Sequence, residues 1–267
     1  MESATTSSLA ALAFPELRGR CALVTGASTG IGAAVARAFG AQGMKVAVHY
    51  NQSEGPAREV ADAVRQAGGE ALLVKADARD SAVIANAVAE VREAFGGIDV
   101  LVNNAGGLIK RVPIAEFTDE LFDEVLHINA RSMLAFCRGV VPVMRAQGRG
   151  GSIINVTSVA ARHGGGPGAF LYAGSKGFVS TATRGLAKEL VGDRIRVNAV
   201  APGVIQTQFH DRYSTPQMLE SFKATIPMAR IGTPEECVGA FLFLASETLS
   251  GYVTGQIIEV NGGQYMP

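Results

Sequence analysis

Cysteine is scarce in this chain of 267 residues, with only Cys21, Cys137 and Cys237. They are scattered, odd in number and in no metal-ligand spacing. This excludes a disulfide framework or a metal cluster built on them and reads as reduced core thiols in a cytosolic protein. An excess of either charge is missing too. Lys+Arg and Asp+Glu number 24 each, for a formal net charge of zero. A nucleic-acid binder carries a basic excess or stripe, so that class is set aside, and nothing draws the chain to an anionic membrane. No segment approaches the ~18 apolar residues that span a bilayer. Residues 1–17 lack the basic start and long apolar run of a secretory signal. Rich in Ser, Thr and Ala, they read as a loose arm before a single domain over 18–267. A soluble, cytoplasmic protein acting on small molecules is the class left standing.

A hydrophobic share of 48% against 18% charged residues supports a sizeable core. Short aliphatic runs at 21–25, 45–50, 70–75, 100–103, 152–157, 195–200 and 256–260 read as strands. Amphipathic stretches such as 31–42, 56–67, 81–95 and 175–191 separate them. Several runs are apolar almost throughout, as expected when helices cover both faces of a parallel sheet. The alternation predicts an α/β fold: one doubly wound parallel sheet of about seven strands.

The first strand runs directly into Gly26-Ala27-Ser28-Thr29-Gly30-Ile31-Gly32, which opens a helix. Glycines let the backbone turn tightly against a pyrophosphate, and the free N–H groups and dipole of the helix start attract its charge. The preceding strand and following helix make this more than a glycine-rich turn. Other candidates sit at strand ends, where ligands bind in such sheets. Asp77 is placed to accept from an adenine amino group. Asn103-Asn104-Ala105-Gly106 is small enough for close approach, and Pro202-Gly203 is followed by Thr207, placed to meet a carboxamide. The second strand ends in His49-Tyr50-Asn51-Gln52-Ser53, with neither the carboxylate usual for NAD nor the Arg common for NADP. A 2′-phosphate meets no repulsion at Tyr50 and finds donors in Asn51 and Ser53. This favours NADP(H) over NAD(H), with both open.

Tyr172 and Lys176 stand four apart at the start of a helix and share a face. A phenol near pKa ~10 is a poor base, and a neighbouring ammonium is expected to lower it, fitting Tyr172 to exchange a proton as hydride moves. Ser158, after the fifth strand, has a hydroxyl suited to a developing oxyanion. Asn129 sits in an apolar helical stretch where a bare amide is costly, which suggests a task such as holding a water.

These segments together resemble the short-chain dehydrogenase/reductase family over essentially residues 18–267. Its pattern Thr-Gly-x3-Gly-x-Gly, Asn-Asn-Ala-Gly, Asn, Ser, Tyr-x3-Lys and Pro-Gly is matched in order by Thr25 to Gly32, Asn103 to Gly106, Asn129, Ser158, Tyr172 with Lys176, and Pro202-Gly203. The resemblance implies a Rossmann-type fold and Tyr172 as acid/base. It implies Lys176 on the nicotinamide ribose, Ser158 orienting the carbonyl and Asn129 holding the water of a proton relay. It also implies no catalytic metal and a homotetramer or homodimer. The departure from the pattern is the missing Asp or Arg at Tyr50 and Asn51.

Residues 206–233, 107–113 and 160–171 are the loops expected over the substrate. Lys110, Arg111, Arg162, His163, His210 and Arg212 bring cations to an acidic or polyhydroxylated molecule, though each alone reads better as a solvated loop charge. A narrower resemblance, in 14–17, 103–108, 163–168 and 261–265, is to bacterial reductases of alginate-derived keto-deoxy uronates. It makes Arg111 and His163, beside Ser158 and Tyr172, the candidates for substrate contact. A 3-oxoacyl-(acyl-carrier-protein) reductase and a catalytically silent dinucleotide-binding module are the rival readings.

Overall fold

Runs such as Cys21-Ala22-Leu23-Val24 have no polar face to give to water, so they pair in the middle of a sheet covered on both sides. In the computed structural model, which describes residues 13–267, seven strands form one all-parallel sheet in the order β3-β2-β1-β4-β5-β6-β7. They are β1 (Cys21–Val24), β2 (Lys45–Tyr50), β3 (Glu70–Lys75), β4 (Val100–Asn103), β5 (Gly151–Val156), β6 (Ile195–Pro202) and β7 (Ile257–Val260). The sixth strand runs two residues further than its apolar run suggests, because Pro202 still pairs with Val260, the Gly203 N–H after it donating to Val260 O at 2.9 Å.

The α-helices of the described residues are α1 (Gly30–Ala41), α2 (Glu54–Gln66), α3 (Ser81–Phe95), α4 (Asp119–Leu126), α5 (Ser132–Gln147), α6 (Ala160–His163), α7 (Phe170–Leu190), α8 (Gln208–Tyr213), α9 (Pro216–Lys223), α10 (Pro234–Ala245) and α11 (Glu247–Ser250). Helices α1, α2 and α10 bury Phe39, Val60 and Phe241 on one face of the sheet. On the other face α3, α5 and α7 bury Ile84, Phe136 and Val179. The amphipathic residues of 117–147 do not form one helix: a π turn at His127–Arg131 interrupts them. Periodicity cannot register a single widened turn. No helix among the described residues is long and apolar enough to cross a membrane.

Of the arm expected over 1–17, residues 1–12 lie outside the described part. Phe14 donates its backbone N–H to Gln42 Oε1 at 2.9 Å. Leu17 is buried, and Ser246 donates its hydroxyl to Glu16. Residues 14–17 are therefore packed on the domain, where a loose arm was expected. All three cysteines are buried and unpaired.

At the amino edge of the sheet Asp99 accepts from Arg149 Nε at 2.7 Å, Arg20 Nη1 at 3.1 Å and the Cys21 N–H at 2.9 Å. Burial works against its charge, but these donors outweigh it and hold the carboxyl below its usual range. A carboxylate so lowered stabilises the fold above its unfolded pKa, and that contribution is lost as pH falls through the lower folded value. Asp99→Ala is expected to lose about 2–3 kcal/mol in urea melts at pH 7, with the difference from wild type shrinking below about pH 4. An equal deficit at pH 7 and pH 3 speaks against the ionised contact.

The order β3-β2-β1-β4 means that the chain leaves β1 in one direction across the sheet and returns to start β4 on its other side. Loops after the two strands part there and leave a crevice at their carboxyl ends. The functional segments gather at that crevice.

Candidate active site

One continuous cavity of about 630 Å³ opens along the carboxyl ends of the strands, its lining running from the β1 and β2 ends to Phe222 on α9. Gly26, Ser28, Thr29, Gly30 and Ile31 line it, as do Tyr50, Asn51, Ser53, Asp77, Asn104, Ala105, Gly106, Pro202, Gly203 and Thr207. Gly26 and Gly30 have φ of 62° and 56°, the left-handed region where a side chain is strained. Opposite Gly30 stands Thr207: a Cβ added to the glycine would come within 3.1 Å of Thr207 Cγ2. The helix start at Thr29 has no side-chain cap, so its first N–H groups are open to an anion. A glycine cradle and an uncapped helix start in one elongated cavity fit a dinucleotide.

Gly32 does a different job from the one expected. It does not line the cavity, and a Cβ there would lie 2.4 Å from the Gly26 carbonyl oxygen and 2.5 Å from Asn104 Nδ2. Its bareness lets Asn104 pass behind the loop and donate to Thr25 O at 2.9 Å and Gly26 O at 3.0 Å. Thr25 Oγ1 in turn accepts the N–H groups of Asn104 and Ala105, both at 2.9 Å. The ends of β1 and β4 are thereby laced together.

Asp77 faces the cavity, but both its oxygens are engaged by Arg79, at 3.0 Å from Nε and 2.7 Å from Nη2. Those bonds, first among several causes, hold the carboxyl at about 2. Arg79 lies on the same wall. Sequence reasoning passed over it, although the Asp-x-Arg spacing at a strand end is a visible signal.

The chemical groups meet at the middle of the cavity. Thr157 Oγ1 donates to the carbonyl of Lys176 at 2.8 Å and lies 2.7 Å from Ser180 Oγ, pinning α7 to the end of β5. Lys176 is buried, its Nζ donating to Val156 O at 2.8 Å and standing 5.8 Å from the Tyr172 ring centre. Tyr172 keeps a partial opening onto the cavity and packs on Phe209, ring centres 5.5 Å apart. Ser158 Oγ accepts the Ala160 N–H at 3.1 Å.

The charges differ from expectation. Burial raises the Tyr172 phenol to about 12, with Ser158 pulling weakly the other way. Burial also drops the Lys176 ammonium to about 8. The ammonium does not bring the phenol down here because desolvation dominates both groups and Nζ is directed to Val156 O.

Asn129 is buried inside the π turn and does not line the cavity. Its Oδ1 accepts the Gly107 N–H at 3.0 Å, and Nδ2 donates to Gly107 O at 2.8 Å and Val125 O at 3.0 Å. The amide is engaged with backbone, where a water-binding task was expected.

In the far half, all three expected loops contribute. Arg111 is half-buried, with Nε donating to Tyr213 O at 2.8 Å and Nη1 to Pro167 O at 2.9 Å. It has no acidic partner among the described residues. Arg162 is not available, since Glu259 holds it at 2.8 Å. His163 is exposed at the cavity edge, and Lys110 does not line the cavity. Phe209, Tyr213, Phe222 and Gln264 complete the wall. These carry no signal at the level of sequence, because an aromatic or Gln in a loop has no spacing rule.

Comparison with known proteins agrees with this geometry. The family model described as enoyl-(acyl carrier protein) reductase matches residues 26–264. The 3-oxoacyl-(acyl-carrier-protein) reductase of Synechocystis sp. is 38% identical over 94% of this chain and 98% of its own length. Among solved structures, the NADH-dependent reductase A1-R′ responsible for alginate metabolism is 37% identical with a TM-score of 0.87, covering 95% of this chain and 100% of that one. That reductase has also been solved with NAD. A short-chain type dehydrogenase/reductase from Mycobacterium marinum is 33% identical with a TM-score of 0.87, covering 94% and 97%. The chain belongs to the short-chain dehydrogenase/reductase family and is an NAD(P)-dependent oxidoreductase.

Proposed function

We propose that the protein uses NADPH to reduce the carbonyl of an acidic, polyhydroxylated substrate of the keto-uronate type. The observation that carries this is Arg111. A guanidinium with two N–H groups tied to backbone is held rigidly, and one without a carboxylate partner in a part-buried wall is poised for an anionic ligand. The relative active in alginate metabolism supports the same class.

When bound, the nicotinamide would supply the hydride for the carbonyl carbon. Tyr172 gives its phenolic proton to the carbonyl oxygen, and Ser158 orients that oxygen through its hydroxyl. Lys176, its Nζ 5.8 Å from the Tyr172 ring centre, lends positive charge near the phenol as it loses its proton and would hold the nicotinamide ribose. Asn129 fixes Gly107, and with it the turn beside Lys176. NADPH is preferred in this reading because Tyr50, Asn51 and Ser53 bring no carboxylate to the ribose 2′ position. The Synechocystis relative and the apolar Leu108, Phe209 and Phe222 in the wall favour a second reading, reduction of a 3-oxoacyl thioester. A homo-oligomer is part of the proposal, supported by Phe122, Leu134 and Phe178, which are 41%, 39% and 44% exposed on α4, α5 and α7.

The test is oxidation of NADPH and NADH across a panel of the alginate-derived keto uronate, neutral aldoses and ketoses, and an acetoacetyl thioester, on a preparation whose size is read on the same column. The uronate with NADPH should give the highest kcat/KM. Arg111→Gln should raise KM for the uronate by about 10–100-fold, the loss of one or two charge-assisted bonds, and change KM for neutral carbonyls little. A wild-type enzyme that reduces the thioester and ignores the uronate would falsify the acidic-sugar reading.

A further inference from the structure

We infer that His49 is a positioning residue for the dinucleotide, its ring and carbonyl together holding the first two amides of the glycine loop. The Gly26 N–H donates to His49 Nδ1 at 3.1 Å. The next amide, Ala27 N–H, donates to the His49 carbonyl oxygen at 2.8 Å. One residue of β2 thus grips two successive donors of the loop that follows β1. Asn104 holds the loop from the other side, through Gly26 O. With Gly26 and Ala27 turned inward, the loop must reach the helix start at Thr29 with its remaining amides facing the cavity.

The imidazole is an uneconomical choice unless this bond matters. His49 is 2% exposed, and Phe136 stands across it at 85° with ring centres 5.2 Å apart. Nδ1 accepts, so the ring proton sits on Nε2, which is buried with no acceptor at full hydrogen-bond geometry, the Ala76 backbone acting on the ring only weakly against burial. A buried donor left bare costs stability, and an aliphatic side chain would fill this apolar place without that cost. Only an acceptor at the Nδ1 position distinguishes the histidine. Burial also pushes the ring's pKa down to about 4, so the lone pair facing Gly26 persists through neutral pH.

His49→Asn places an amide oxygen close to the Nδ1 position and keeps the acceptor. His49→Leu keeps bulk and removes it. The chain has no Trp, so binding is read by the nicotinamide's own fluorescence during titration of NADPH and NADH, alongside a thermal melt. His49→Leu is expected to weaken both cofactors by about tenfold or more, the effect of stranding one buried N–H. His49→Asn should recover most of that affinity, and the loss in the Leu variant should fall on cofactor KM more than on kcat. Wild-type affinity in His49→Leu overturns the inference. So does an Asn variant as weak as Leu, which assigns the ring to packing. If the Leu variant does not fold, His49→Gln replaces it. Its acceptor sits one bond too far, and binding equal to the Asn variant overturns the inference.

Discussion

Tyr172→Phe should cut turnover by roughly 10³-fold, the usual scale for removing a positioned acid, while nicotinamide fluorescence titrations report an unchanged cofactor Kd. The ring is kept, so its packing on Phe209 and the wall of the cavity survive; only the exchangeable proton is gone. Turnover within tenfold of wild type would remove Tyr172 from the chemistry. The phenol's pKa sharpens the expectation. Raised to about 12 by burial, it carries its proton throughout the physiological range. On the proposed chemistry, reduction near pH 7 finds the phenol protonated, and the reverse reaction, which needs the phenolate, should speed up with pH across the alkaline range.

The second large effect belongs to Lys176. Lys176→Met keeps the buried stem but removes the charge and the bond to Val156 O. Loss of one preorganised donor at a charge-developing site costs about 10²–10³ in rate, and reduction should fall by at least that lower figure. A pH profile provides an independent reading. Burial lowers the Lys176 ammonium to about 8, so its charge is present below that pH and is lost above it. If the charge supports proton transfer, kcat/KM for reduction is level below pH 8 and declines above. A profile level through pH 10 would show that the ammonium is not needed.

The sheet was legible in the sequence because a parallel strand buried on both faces leaves no polar alternation to misread. The runs at 45–50, 70–75 and 100–103 coincide with β2, β3 and β4. The glycine loop was legible because Gly26 and Gly30 have few other uses between a strand and a helix. The same motif concealed a division of labour. Gly26 and Gly30 line the cavity, whereas Gly32 lies behind it against Gly26 O and Asn104, and spacing alone does not say which glycine reaches the cavity. Asn129 was found for a sound reason, the cost of a bare amide in an apolar stretch. Its partner, Gly107, lies across a loop that only the fold brings near. The tyrosine–lysine pair misled on energetics. Spacing placed the charge beside the phenol, but the desolvation that outweighs it comes from the walls of the cavity, which no local window contains. Arg162 was counted among free cations because Glu259, from the far edge strand, cannot be foreseen as its partner.

The cavity's two halves are attached to the scaffold in different ways. Around the cofactor the polypeptide is stitched into the sheet: Thr25, Gly32 and Asn104 fit one another with no slack. The opposite wall is borrowed from three separate excursions of the chain, 107–113, 160–171 and 206–233, anchored to one another by bonds such as those of Arg111. Mutations can therefore accumulate in that wall, even whole insertions, with the hydride-handling half inherited intact. Such an architecture lets lineages exchange one substrate for another in a few steps, so relatedness at the level of the whole chain is a better guide to the reaction than to the molecule that undergoes it.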